Sequence, residues 1–175
     1  MLDVHVIECA AKPEWFAQCI ASIKCAIDQA TFLVVLHVVQ GDVGHIGSGR
    51  ARGYAMGEQP YVTCADDDDY VLPNAFQAMH DALRSKPEAI FTPEMTLQNG
   101  HLRQGSPRHH LAAYRRDKLI DHSRWPSCGD LAQINSIKSN AIDLPEPNYV
   151  HRLYVDSKAR VLRRTRHEEL ELARA

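Results

Sequence analysis

The sequence predicts an α/β fold built on a mostly parallel sheet. Three observations predict it. Short β-branched runs alternate with amphipathic helical stretches, one of those runs is apolar at nearly every position, and the glycine-rich and acidic stretches fall straight after strands. The chain has 175 residues, 45% hydrophobic and 24% charged, with a formal net charge of −2. That suits one domain with a real core and gives no basic face of the kind that binds nucleic acid.

The elements follow in order. VHVIECA at 4–10 reads as a first strand. Pro13 opens a helix, since proline suits a first turn, and Trp15, Phe16, Cys19, Ile20, Ile23 and Ile27 recur at helical spacing to about residue 29. TFLVVLHVV at 31–39 is apolar almost throughout, as a strand covered on both faces is. QGDVGHIGSG at 40–49 has four glycines in ten residues and predicts a loop, followed by a helix over 50–59. A strand at 61–65 leads into four aspartates, and Pro73 starts a helix whose Ala75, Phe76, Met79 and Leu83 form a stripe. Beyond residue 88 the alternation stops. Asn99-Gly100 marks a two-residue hairpin turn, short helices are expected over 110–120 and 130–141, and LPEPNY at 144–149 is extended or turning. The last twenty residues are highly charged and predict a solvated helix or tail at 156–175.

The cysteine count is five, with no CxxC pair, which points away from structural zinc or a disulfide framework and towards a reducing, cytoplasmic setting. No signal-peptide core and no run of about 18 apolar residues is expected, so nothing spans a membrane; association with a membrane surface, or with a second copy, stays open. His109-His110 lacks ligand neighbours, and the arginines at 160, 163, 164 and 166 run straight into glutamates, so both read as solvated surface.

The decisive stretch is YVTCADDDDYVLP at 61–73. Like charges packed together either take up protons or hold a cation, and oxygen-only ligands suit hard divalent ions. Mg²⁺ typically takes one or two protein carboxylates plus phosphate oxygens, so a metal here implies a phosphate-bearing ligand beyond the strand ends. The plain alternative is an acidic turn before a helix, since Asp favours helix N-termini. An EF-hand lacks its spacing and glycine.

These residues resemble the inverting family-2 glycosyltransferases of the GT-A fold, a Rossmann-like αβα sandwich with a mostly parallel central sheet. AAKPEWFAQCIASI looks like the family's first loop and helix, RARGYAMGEQPYVTCADDDDYVLPNAF like its central block, and YVHRLYVDSKAR like its closing segment. The resemblance covers most of residues 4–160. It implies one catalytic domain over 1–155, with a nucleotide-sugar half at 1–95 and a reduced acceptor half at 96–155.

The roles it implies are these. Asp66 and Asp68 take the DXD positions against nucleotide-sugar and metal; Asp67 is the variable position beside them. Asp68, Asp69 and His151 are expected at the metal, Mn²⁺ or Mg²⁺, and Arg50 near the nucleotide or diphosphate. Asp130 is the expected general base, with an N-cap as the alternative for it. The family's base-binding Asp after the second strand is here Gln40, with Asp42 two residues on, and Gly129 stands where a glutamate usually precedes the base. The expected reaction moves a sugar from a nucleoside-diphosphate sugar, a UDP-sugar first, to a saccharide or other hydroxyl acceptor. A catalytically silent nucleotide-sugar-binding module is the alternative. A nucleotidyltransferase is a more distant one, because ECAAKPEW lacks the glycine-rich basic loop such enzymes need.

Overall fold

The computed structural model describes residues 1–9, 12–42, 44–108, 111–125, 129–137 and 139–153, with the side chain of Asp130 outside that description. The charged tail, His109-His110 and the arginine cluster lie outside the described residues. The chain opens as strand β1 (Leu2–Glu8), helix α1 (Pro13–Asp28), strand β2 (Val34–Gln40), helix α2 (Ile46–Ala55), strand β3 (Tyr61–Asp66), the short strand β4 (Tyr70–Val71) and helix α3 (Ala75–Leu83). Strands β5 (Ala89–Phe91), β6 (Glu94–Gln98), β7 (His101–Gln104) and β8 (Ala113–Arg115) follow. Helix α4 (Gly129–Ser136) and strands β9 (Ala141–Asp143) and β10 (Tyr149–Leu153) complete it.

The main sheet runs β2-β1-β3-β8-β5-β9. Strands β1, β2 and β3 are parallel to one another, β5 and β9 are parallel, and β8 alone runs against its neighbours. Along β1 the side chains alternate faces. Leu2, Val4 and Val6 join Cys19, Ile23, Phe76 and Met79 in a core under α1 and α3. Ile7 joins Tyr54, Val62, Cys64, Phe91 and Tyr114 in a second core, against which Ile134 of α4 packs. Burial on both faces is why YVTCA carries few polar residues. TFLVVLHVV, expected to be covered on both faces, is instead the edge strand β2 and only part-buried, with Leu33 and Val38 exposed.

Three other expectations are corrected. The helix expected over 130–141 ends at Ser136, and Ala141–Asp143 is strand β9. The segment 110–120 is not a helix: Ala113–Arg115 is β8, wedged antiparallel between β3 and β5, and Arg116–Lys118 is a single 3-10 turn. Its alanines, leucine and arginines favour a helix locally, but Leu111, Ala112, Ala113 and Tyr114 are all buried in the sheet layer, and tertiary packing overrides propensity. The loop at 40–49 is also shorter than expected, because α2 starts at Ile46 and takes in two of the glycines. Those glycines let α2 lie close. A Cβ on Gly49 would stand 2.5 Å from Ile7 Cγ2, and one on Gly47 would stand 2.0 Å from the Trp125 carbonyl oxygen.

The segment after α2 is stapled by Arg116. Its guanidinium donates to the carbonyls of Tyr54 and Gln59 and, at 2.6 Å, to Asp3. Asp3 is fully buried and also accepts from the Gln59 backbone, with His37 Nε2 2.9 Å away. Gly57 turns there with φ +74, and a Cβ on it would meet the Asp3 carboxylate at 2.3 Å. A second, smaller sheet, β4-β10-β6-β7, stands at the carboxyl end of β3. Its β6–β7 hairpin turns at Asn99 (φ 50) and Gly100 (φ 78), as the Asn-Gly signal requires.

Candidate functional site

The four aspartates sit where β3 ends and the chain turns into β4. The turn separates their environments. Asp66 accepts from Arg50 Nη2 at 3.1 Å, and its own backbone N–H donates to the Tyr149 hydroxyl at 3.0 Å. Asp67, only 8% exposed, accepts from the Cys9 backbone N–H at 2.7 Å, tying the end of β1 to the end of β3. Asp69 is 1% exposed and takes three donors: Tyr149 Oη at 2.7 Å, His151 Nδ1 at 2.9 Å and the Arg152 backbone N–H at 2.7 Å.

Asp68 differs from the other three. Its carboxylate has no hydrogen-bond partner among the described residues. Burial, and then the charges of Asp69, Asp66 and Asp67, push its carboxyl up to about 7. Burial likewise pushes Asp69 up, opposed by its hydrogen bond from His151. For His151 burial works against the charge, but Asp69, Asp66 and Glu94 outweigh it and raise the imidazole to about 9.

The expected site residues fall into place unequally. Arg50, expected near the diphosphate, is 4% exposed rather than a solvated helix arginine, and reaches from α2 to Asp66. Gln40 and Asp42 stand at the end of β2, gathered by Arg52, which donates to the Gln40 carbonyl at 2.5 Å and to Asp42 at 2.9 Å. Asp130 lies in the first turn of α4, which Gly129 lets pack against His122 and Trp125. Residues the sequence did not single out are Tyr149, which bridges Asp66 and Asp69, and Arg152. The Arg152 guanidinium is layered 4.3 Å from the Tyr70 ring and 5.1 Å from the Trp15 ring, and donates to Gln18 at 3.0 Å. The alternation in YVHRL was the available signal for β10; the partners of its side chains were not in the sequence.

No group of three or more His, Cys, Asp or Glu that could hold a metal occurs among the described residues. The donor set nevertheless fits a hard divalent ion that takes one or two carboxylates and completes its shell with phosphate oxygens and water. The under-partnered, mutually repelled Asp68 is the observation behind that fit. Among the described residues no helix is long and apolar enough to cross a membrane.

No protein-family model matches the chain, and no curated protein does. Solved structures do. The structure of S. aureus TarS, a GT-A family-2 glycosyltransferase, aligns over 87% of this chain and 36% of its own, with a TM-score of 0.66 and 10% identity. TarS 1–349 with UDP aligns over 87% of this chain and 60% of its own, at TM-score 0.65 and 10% identity. TarS 1–349 with UDP-GlcNAc aligns over 89% and 59%, at TM-score 0.67 and 10% identity. The fold is GT-A. At 10% identity the likeness speaks for the fold, and the chain spans 36% to 60% of the TarS chains it matches. Ligands of open α/β sheets bind beyond the carboxyl ends of the strands, and the aspartates at the end of β3 stand at that edge.

Proposed function

We propose that this chain binds a nucleoside-diphosphate sugar, a UDP-sugar first, together with Mg²⁺ or Mn²⁺, and transfers the sugar to an acceptor hydroxyl with inversion. Asp68 carries the reading: a part-buried carboxylate without a hydrogen-bond partner among the described residues, crowded by three others at the ligand edge of a GT-A fold. Such a group is destabilising unless it is protonated or meets a cation. Likeness to TarS, which has been solved with UDP and with UDP-GlcNAc, supports the choice of donor.

Asp68 leads the metal set, and Asp66 shares the ion or the ribose beside it. The ion, when bound, offsets the charge growing on the departing diphosphate. This chain's own residues do the rest. Arg50 fixes the Asp66 carboxylate from within the fold. Asp69 and His151 hold each other, and through Tyr149 they lock the turn that presents Asp68. The cationic His151 adds positive charge where phosphate arrives. Gln40 and Asp42, drawn together by Arg52, face the nucleotide base. Asp130, at the start of α4, takes the proton of the attacking hydroxyl as the sugar's anomeric carbon is displaced from the opposite face. A cytoplasmic location goes with this reading. A catalytically silent nucleotide-sugar-binding module is the second reading, favoured by Gly129 standing where a glutamate usually precedes the base.

Thermal denaturation with UDP, GDP, CDP and dTDP sugars, with and without Mn²⁺, tests the binding step. Ligand at a hundredfold over its Kd adds about 2.7 kcal/mol, roughly 5–10 °C for a chain this size. No shift with any donor refutes the proposal. Asp130→Asn then separates the two readings: transferase turnover collapses while donor binding stays, and a binding module shows no turnover to lose.

A further inference from the structure

Away from the aspartates, α2 packs against the sheet and against the 3-10 turn His122–Arg124, and these contacts bury two imidazoles that the proposed transfer does not use. His5 is fully buried in mid-strand, and neither of its ring nitrogens has a hydrogen-bond partner. His122 is 1% exposed; its Nδ1 has no partner, and its Nε2 lies 3.3 Å from Gln133 Oε1. Both rings clasp Tyr54 of α2 edge-on, His5 at 5.7 Å and His122 at 5.0 Å between centroids. The same helix carries Arg50 to Asp66 one turn earlier.

We infer that the packing of α2 around Tyr54 is an acid-labile latch: charging His5 on the sheet or His122 on the flanking turn loosens α2 and takes Arg50 from Asp66 before the rest of the fold melts. An imidazolium buried without an acceptor for its protons is costly, and nearby groups do not supply one. Around His5, the β2 side offers His37, stacked at 5.0 Å, which is itself turned to Asp3. The β3 side offers Cys64, in register beside it, α2 offers Tyr54, and Arg116 adds a cation; Asp3 on its own strand is already shared by Arg116, His37 and the Gln59 N–H. Around His122 stand Arg50 and Tyr54 of α2, Gln133 of α4, and Asp121, whose carboxylate is held by Ser123 and Arg124. Burial keeps both imidazoles neutral down to about 4, against an ordinary 6.5. Each is a base with a depressed value, so the stability it permits is intact above 6.5 and falls as pH drops from there towards 4. Helix α2 is the element to yield, since three glycines give it little side-chain anchorage and α1 packs on the opposite core.

Native-state hydrogen exchange of the full chain, corrected for intrinsic rates, reads the latch without any ligand. The opening equilibrium of the α2 amides should rise about tenfold per pH unit below 6.5 for each imidazole that titrates, while α1 amides around Ile23 stay protected. The variants His5→Leu and His122→Leu should each remove about tenfold per unit from that slope. Because the readout needs no donor, its outcome is separate from that of the transferase proposal. The inference is overturned if α2 and α1 open together at every pH, or if wild type and whichever leucine variants fold share one pH slope.

Discussion

Gly47→Ala sets two effects of opposite sign against each other. Helix propensity alone favours alanine by at most about 1 kcal/mol, because glycine loses more backbone freedom on folding. Geometry opposes it. The new Cβ would lie 2.0 Å from the Trp125 carbonyl oxygen and 2.3 Å from that of His122. Both are backbone atoms, so no side chain can swing away. Relief needs α2 to retreat from the turn at His122–Arg124 by more than an ångström, loosening the Tyr54–His122 contact as it goes. Overpacking of this kind costs about 1–3 kcal/mol or more, and lost packing around Tyr54 adds to it. The net expectation is a loss of about 2 kcal/mol, or roughly 4–8 °C in Tm for a chain of this size. Gly53→Ala is the control on the same helix: its Cβ would meet Ile7 Cδ1 at 3.3 Å and His5 Cβ at 3.4 Å, tight but tolerable, so propensity and crowding nearly cancel. Urea denaturation of both variants measures the difference. A Gly47→Ala protein as stable as wild type would falsify the claim that these glycines serve close packing.

Other outcomes follow from the site and its supports. Asp68→Asn removes a repelled carboxylate: as an acid raised to about 7 from 3.8, Asp68 costs stability that accrues as pH climbs through that window. The variant without metal should therefore be more stable at pH 8, by about 1–2 kcal/mol after allowing for partial exposure, and should lose the Mn²⁺-dependent shift with UDP-sugar. Calorimetry with and without the ion checks both halves. Tyr149→Phe removes the bridge between Asp66 and Asp69 and should cost about 1–3 kcal/mol in urea denaturation. Asp3→Ala takes the carboxylate from Arg116, which keeps its carbonyl acceptors, and should lower stability by about 1.5–3 kcal/mol, whereas a loss under about 1 kcal/mol in the same assay would show that the staple carries little.

Part of the site is legible in the amino-acid sequence. The DDDD run follows an apolar strand in an α/β alternation, and like charge at a strand's carboxyl end is a local, one-dimensional signal. That signal puts Asp66, Asp67, Asp68 and Asp69 at the ligand edge, but it cannot rank them. Sequence treats four identical residues alike; only the turn hands Asp67 to the Cys9 N–H, Asp66 to Arg50 and Asp69 to Tyr149, His151 and Arg152. Asp68 stands apart only through contacts whose partners lie up to 83 residues away.

The same division holds for the fold. Periodicity by itself determined β1, α1, β2, β3 and α3 and their parallel layering, because each buries a face whose spacing shows in a dozen consecutive residues. Tertiary structure alone decided β8 and the early start of α2. Ala113–Arg115 becomes a strand because β3 and β5 leave a gap that its backbone fills, and Gly47 and Gly49 become helical because Trp125, His122 and Ile7 must be approached closely. Local preference weighs tenths of a kilocalorie per residue, whereas closing a sheet or avoiding a backbone clash weighs several, so wherever the two met, packing prevailed.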